Sequence, residues 1–221
     1  MPLIIRKNLA NIVTSIGIVS GIIASLLVIY HPSWQTATVL LIVSLVTDGL
    51  DGKIARKYGS TKAGTYLDDI SDFINFGLHP GLWIWVGMQH TTLAVLYVLA
   101  ILYRLTRFTL QGQNTSSLFS WLPSPAGAIG IFGIILSPLE RNSMIIGVLF
   151  IICLTVSSLP CLHVIKTKKI RRLLPIIICV CLSLPFLFWG GQYGLAIAEM
   201  VCIGSYILFS LISLIPRYVN R

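Results

Sequence analysis

Long apolar stretches alternate along this chain with short polar breaks, and the spacing of the breaks predicts helices. Eight stretches stand out, at roughly 11–30, 36–56, 64–87, 91–111, 124–138, 142–158, 172–189 and 193–215. Most reach the roughly 20 residues that an α-helix needs to cross a bilayer. The fifth and sixth are shorter and can be read as one kinked hairpin. The breaks carry turn chemistry. His31-Pro32-Ser33 separates the first two stretches, with Tyr30 and Trp34 flanking it as interfacial aromatics. Lys57-Tyr-Gly-Ser-Thr-Lys62 joins the second and third as a tight hairpin. His79-Pro80-Gly81 lies inside the third and predicts a kink or partial unwinding there. The connections 111–123 and 159–171 are the long ones, and the latter is basic. Asn8 and Asn11 are candidate helix caps. The pattern predicts an all-α, polytopic transmembrane bundle of about eight spans. It forms a single domain over 1–221, with its polar motifs in 8–170 and a nearly uncharged hairpin, 172–215, as scaffold.

Composition agrees. Of 221 residues, 56% are hydrophobic and only 10% charged, and the mean hydropathy is +0.88. A soluble domain carries about a quarter charged residues. The first apolar run continues too far, and lacks a small-residue cleavage site, to be a removable signal peptide. The net charge of +9 raises the question of nucleic acid, but its distribution argues for topology instead. With the ends numbered alternately, fifteen of the sixteen basic residues fall on one side and only Arg141 on the other. The positive-inside rule then places both termini in the cytoplasm, in an inner, cytoplasmic membrane. A secondary role for these cations is attraction of anionic head groups or substrate. The cysteines at 153, 161, 179, 181 and 202 form no C-x-x-C pair and read as small apolar packing residues.

The acidic residues change the picture. Five of seven fall between 48 and 72: Asp48, Asp51, Asp68, Asp69 and Asp72. A carboxylate within a membrane costs about 2.5 kcal/mol or more, so a cluster needs compensation, and divalent cations supply it. On a helix, Asp48, Asp51, Gly52 and Ala55 share one face; so do Gly64, Asp68 and Asp72 on the next. The hairpin is expected to bring the faces together, so that four carboxylates meet beside glycines that permit close approach. An all-oxygen set suits Mg²⁺, Mn²⁺ or Ca²⁺, and four carboxylates suffice for two ions, an arrangement that serves phosphoryl transfer. Arg56 is placed to clamp a phosphate bidentately. The plainer alternative is a set of snorkelling acids paired with Lys53, Lys57 and Lys62, and Asp69, on another face, fits it best.

The run Asp48-Gly-Leu-Asp-Gly-Lys-Ile-Ala-Arg56, followed by Gly64-Thr-Tyr-Leu-Asp-Asp-Ile-Ser-Asp72, resembles the signature of the CDP-alcohol phosphatidyltransferases. That signature reads D-x-x-D-G-x-x-A-R, a spacer of eight, then G-x-x-x-D-x-x-x-D. Here the spacer is seven residues, 57–63, a departure confined to the hairpin loop. Four further segments resemble the serine branch of the family, the membrane phosphatidylserine synthases. Asp72-Phe-Ile-Asn-Phe-Gly-Leu-His-Pro80 has Asn75 where serine is usual. Tyr103-Arg-Leu-Thr-Arg-Phe-Thr109 ends in threonine where asparagine is usual. Leu122-Pro-Ser-Pro-Ala126 matches outright, and Val156-Ser-Ser-Leu-Pro160 with Lys166 matches loosely.

The resemblance implies a transferase of phospholipid synthesis. Asp48, Asp51, Asp68 and Asp72 would hold Mg²⁺ or Mn²⁺, two ions by preference. Asp48, Gly52, Ala55, Arg56, Gly64 and Asp68 would surround the cytidine diphosphate part of CDP-diacylglycerol. Asp72 would take the proton from the hydroxyl of L-serine. A homodimer in membrane lipid is implied as well, and no nucleic acid. Arg104 and Arg107 are candidates for a second anion site, against a plainer reading as snorkelling cations. Asn75 and His79, four apart, are candidates to contact the acceptor, against satisfying backbone near Pro80. Lys166 stands evenly between function and topology. His31, His90 and His163 read as interfacial, and Glu199 as an interhelical or dimer contact. Rival readings keep the chemistry with glycerol 3-phosphate, inositol phosphate, choline or an archaeal-type donor. A different class, a divalent-cation or proton-coupled transporter, expects polar groups near the midplane in both halves of the fold; here they gather at one end. A catalytically inactive scaffold is opposed by the intact motif.

Overall fold

The first apolar run meets no proline between residues 3 and 31, and it folds as one 28-residue helix, α1 (Leu3–Tyr30). His31 still donates to the Leu27 carbonyl at 2.9 Å, and Pro32 then forbids continuation. Helix α2 (Trp34–Tyr58) starts after an extended Ser33 and carries Arg56 and Lys57 in its last turn, where cations suit the helix dipole. It stops at Gly59, whose φ of 87° is open to glycine and strained for other residues. Thr61 then caps α3 (Lys62–Asp72) by accepting from the Gly64 amide at 2.9 Å. The structure, a computed structural model, describes residues 3–59, 61–111, 118–119, 122–157 and 161–162, with isolated helical positions between 193 and 207.

The expected break around Pro80 takes a particular form. Residues Phe73–Leu78 wind as a π-helix and lead straight into α4 (His79–Met88). The widened turn falls one turn ahead of the proline, not at it. Pro80 lacks the N–H that would pair with the carbonyl of Phe76, and its ring crowds that turn. The Tyr97 hydroxyl donates to the Phe76 oxygen at 2.8 Å instead. Tyr97 belongs to α5 (Thr91–Gln111) and is fully buried. A helix break in an apolar environment is thus repaired by a neighbouring side chain.

The chain divides within α5 into two compact units, Met1–Leu105 and Thr106–Arg221. In the first, α1 packs along both α2 and the α3–α4 helix, and these make fewer contacts with each other than with α1. The packing is inverted relative to a soluble protein. The buried face of α1 is small or polar: Ala10, Thr14, Gly17, Ser20, Gly21, Ala24 and Val28. Its large residues, Ile12, Ile16, Val19, Ile23 and Leu26, point outward. Small residues at a helix interface with bulky apolar residues outside is the logic of packing in lipid. Asn8–Tyr30 and Thr91–Leu110 are each long and apolar enough to cross a membrane. Together with the shorter apolar helices among the described residues, they point to a helical membrane protein.

The second unit contains α6 (Ser124–Leu136) and α7 (Arg141–Val156), both apolar and packed on each other. The two long connections are joined by a two-residue antiparallel ladder, β1 (Leu118–Phe119) against β2 (Cys161–Leu162), which the all-α reading did not foresee. Cys153 is an exposed free thiol on α7, not the packing residue expected. The predicted span 172–189 lies outside the described residues, as does most of 193–215, and with them Lys166 and Glu199.

Candidate functional site

Three aspartates meet between α2 and α3. One carboxylate oxygen each from Asp48, Asp51 and Asp68 lie within 4.8 Å of one another. The three-residue step from Asp48 to Asp51 puts both on one side of α2, and the short 59–61 turn brings Asp68 alongside. Burial is graded. Asp51 is 4% exposed, Asp48 is half-buried and Asp68 is exposed. The cluster therefore has a buried floor and an open rim.

Asp72, one turn beyond Asp68, stands outside that group of three but feels the charge of Asp48. Two neighbouring carboxyl groups favour a proton or a cation between them. Asp69 is half-buried and acts electrostatically on Asp68. Two guanidiniums act on the cluster through their charge. Arg104, on α5, is 6% exposed, and its charge acts on Asp48 and Asp72. Arg56 acts on Asp48 and Asp51. Its head folds back over Gly52, where a Cβ would stand 3.3 Å from Nη1. Four carboxylates against two guanidiniums leave the pocket anionic. The donor set, hard oxygens only and short of positive charge, fits a divalent cation.

Helix α1 seats both acidic helices. Thr14, buried, donates through Oγ1 to Asp51 Oδ2 at 2.7 Å. Asn11 Nδ2 donates to Thr61 Oγ1 at 3.1 Å, on the residue that caps α3. A Cβ on Gly64 would collide with Asn11 Oδ1, so Gly64 leaves room for the Asn11 side chain where it meets Thr61. Further along, a Cβ on Gly17 would lie 2.9 Å from Thr47 Oγ1 and 3.1 Å from Ser71 Oγ. Sequence reasoning missed α1 entirely as part of the site. The available signal was its small and polar residues at 10, 14, 17, 21 and 24, spaced as a helix seam within an otherwise bulky run.

The pattern that defines the CDP-alcohol phosphatidyltransferase family matches residues 7–157, which takes in most of α1, the whole acidic cluster, α5, α6 and α7. The chain belongs to the CDP-alcohol phosphatidyltransferase family. A CDP-diacylglycerol–serine O-phosphatidyltransferase of Helicobacter pylori is 29% identical over 218 residues, covering 91% of this chain and 89% of the relative. One of the same name from Mycobacterium leprae is 28% identical over 144 residues, 60% of this chain and 48% of the relative. A phosphatidylcholine synthase of Borreliella burgdorferi is 25% identical over 228 residues, 96% and 95% respectively. The chain spans about half the length of the mycobacterial relatives it matches.

The remaining candidates sort by position. Ala55 is half-buried on α2, beside Arg56. Asn75 is buried at 1% exposure; its Oδ1 accepts from Ser44 Oγ at 2.8 Å and its Nδ2 donates to Ser71 Oγ at 3.1 Å. Its amide is thus engaged in joining α2 to the α3–α4 helix. His79 is completely buried. Arg107 is half-buried and belongs to the second unit. His90 caps α5, its Nδ1 accepting from the Leu93 amide at 3.3 Å.

Proposed function

We propose that this protein moves a phosphatidyl group from CDP-diacylglycerol to L-serine, giving phosphatidylserine and CMP, with Mg²⁺ or Mn²⁺ as cofactor. The observation that carries the reading is the meeting of Asp48, Asp51 and Asp68, signature aspartates of two helices, within 4.8 Å in a chain matched by the family over residues 7–157. Asp48, Asp51, Asp68 and Asp72 hold the cations, two by preference. When bound, these supply Lewis-acid stabilisation to the pyrophosphate and to the departing CMP. The protein's own groups do the rest. Asp48, Gly52, Ala55, Gly64 and Asp68 line the place of the cytidine diphosphate, and the Arg56 fork binds a phosphate. Asp72 accepts the proton of the serine hydroxyl. The serine oxygen then bonds to the β-phosphorus as the bond from that phosphorus to the CMP oxygen breaks. Arg104 binds the lipid phosphate or the serine carboxylate, and Arg107, in the second unit, is a separate candidate for such an anion.

The reading includes eight spans, taken from the apolar runs, and the one-sided basic residues support cytoplasmic termini and a cytoplasm-facing site at the inner membrane. A homodimer completes the proposal.

A second reading changes only the acceptor. The relative named phosphatidylcholine synthase covers 96% of this chain, which favours choline as the alternative. An acceptor panel decides. Purified protein with labelled CDP-diacylglycerol and Mn²⁺ is offered serine, choline, glycerol 3-phosphate, inositol or inositol phosphate, and CMP is measured. Serine is expected to give the highest rate. A higher rate with choline would move the assignment, and release with no alcohol added would point to hydrolysis.

A further inference from the structure

We infer that Thr14, on the first helix, is a positioning residue for the cation site, supported one turn earlier by Asn11. The inference rests on the metal-dependent reading above and deepens it. Thr14 is 3% exposed, so its hydroxyl finds its partners within the protein. Two acceptors lie in reach: the Ala10 carbonyl at 3.0 Å and Asp51 Oδ2 at 2.7 Å. A hydroxyl has one proton to give. The shorter, charge-assisted contact to the carboxylate is the stronger claimant, and the nearby Ala10 oxygen marks the rotamer in which a helical threonine is stiff. Asp51 is thereby held by one oxygen at the buried floor of the cluster, which restricts the rotation of its carboxylate.

Asn11 lies three residues before Thr14, on the same face of α1. It donates to Thr61 at the start of α3, and Thr61 in turn accepts from the Gly64 amide. One helix turn therefore touches both acid-bearing helices: α2 at the ligand itself, and α3 at its cap, seven residues before Asp68. Since α2 and α3 make few contacts with each other, their separation is set through α1. Groups that orient ligands in this way typically govern metal affinity by about 10–100-fold.

The test is Mn²⁺ binding, read as the rise in thermal midpoint of purified protein during titration with MnCl₂ alone, without lipid or alcohol. Thr14→Val keeps the shape and removes the hydroxyl, and the half-saturating Mn²⁺ concentration is expected to rise about tenfold or more. Thr14→Ala, which cannot crowd the seam, carries the same expectation should the valine variant fold poorly. Thr14→Ser restores the donor and should return binding to within about threefold of the wild type. Wild-type protein that binds Mn²⁺, with Val and Ala variants binding it equally well, would overturn the positioning role alone. Wild-type protein that shows no Mn²⁺-dependent stabilisation would overturn the cation reading, and this inference with it.

Discussion

Asp72→Asn is expected to lower kcat for CMP release by about 10²–10⁴-fold, the range a positioned general base supplies, while KM for CDP-diacylglycerol stays within about threefold of the wild type. Asparagine matches aspartate in shape and can still donate a hydrogen bond to a neighbouring carboxylate such as Asp48. It cannot accept a proton from a serine hydroxyl. Asp72 also stands apart from the closest group of three carboxylates, so its loss leaves Asp48, Asp51 and Asp68 to hold a cation and the donor. Steady-state kinetics with varied CDP-diacylglycerol at saturating serine separate the two effects. A parallel collapse of donor binding would make Asp72 chiefly a ligand. Unchanged turnover would remove it from the mechanism.

The second large effect concerns a residue with no side chain. Gly64→Ala places a methyl group against the Asn11 amide oxygen and 3.0 Å from Thr61 Oγ1. Either the Asn11 side chain turns away and gives up its bond to Thr61, or helix α3 shifts from α1 and carries Asp68 and Asp72 with it. A displacement of about 1 Å at a catalytic constellation can cost about 10²-fold in rate, and that loss of CMP release is expected. The Asn11→Ala, Gly64→Ala double variant removes the obstacle and should recover at least about tenfold over Gly64→Ala, a coupling that neighbouring residues show. If Gly64 instead serves only the approach of the nucleotide, the double variant will be as slow as the single one.

Much of this was legible in the residue pattern, because apolar run length is a strong signal for helices in lipid. The run 91–111 is α5 to the residue, and 36–56, 64–87, 124–138 and 142–158 differ from their helices by a few residues at the ends. The convergence of Asp48, Asp51 and Asp68 followed from helical spacing and a short turn. Other features were hidden for physical reasons. Hydrophobicity says which segments are helices but not which faces meet, so the hairpin was expected to close on itself. In the structure α1 is the chief packing partner of both of its arms. Its small residues raise no signal in a hydropathy scan, although they decide the packing. Pro80 announced a distortion, but a proline specifies only that one amide is missing and leaves open where the backbone absorbs it; the π-helical turn at Phe73–Leu78 and the Tyr97 hydroxyl are tertiary answers. Asn75 was legible as polar in an apolar run, but not as the bridge between Ser44 and Ser71.

The most direct test of the central claim is CMP release from CDP-diacylglycerol and L-serine by protein stripped with EDTA, before and after Mn²⁺ is restored. The account predicts no release in the chelator, full recovery on adding Mn²⁺, and no recovery in protein with Asp48, Asp51 and Asp68 all changed to Ala. Serine-dependent release that persists through chelation, or that survives loss of those three carboxylates, would contradict it.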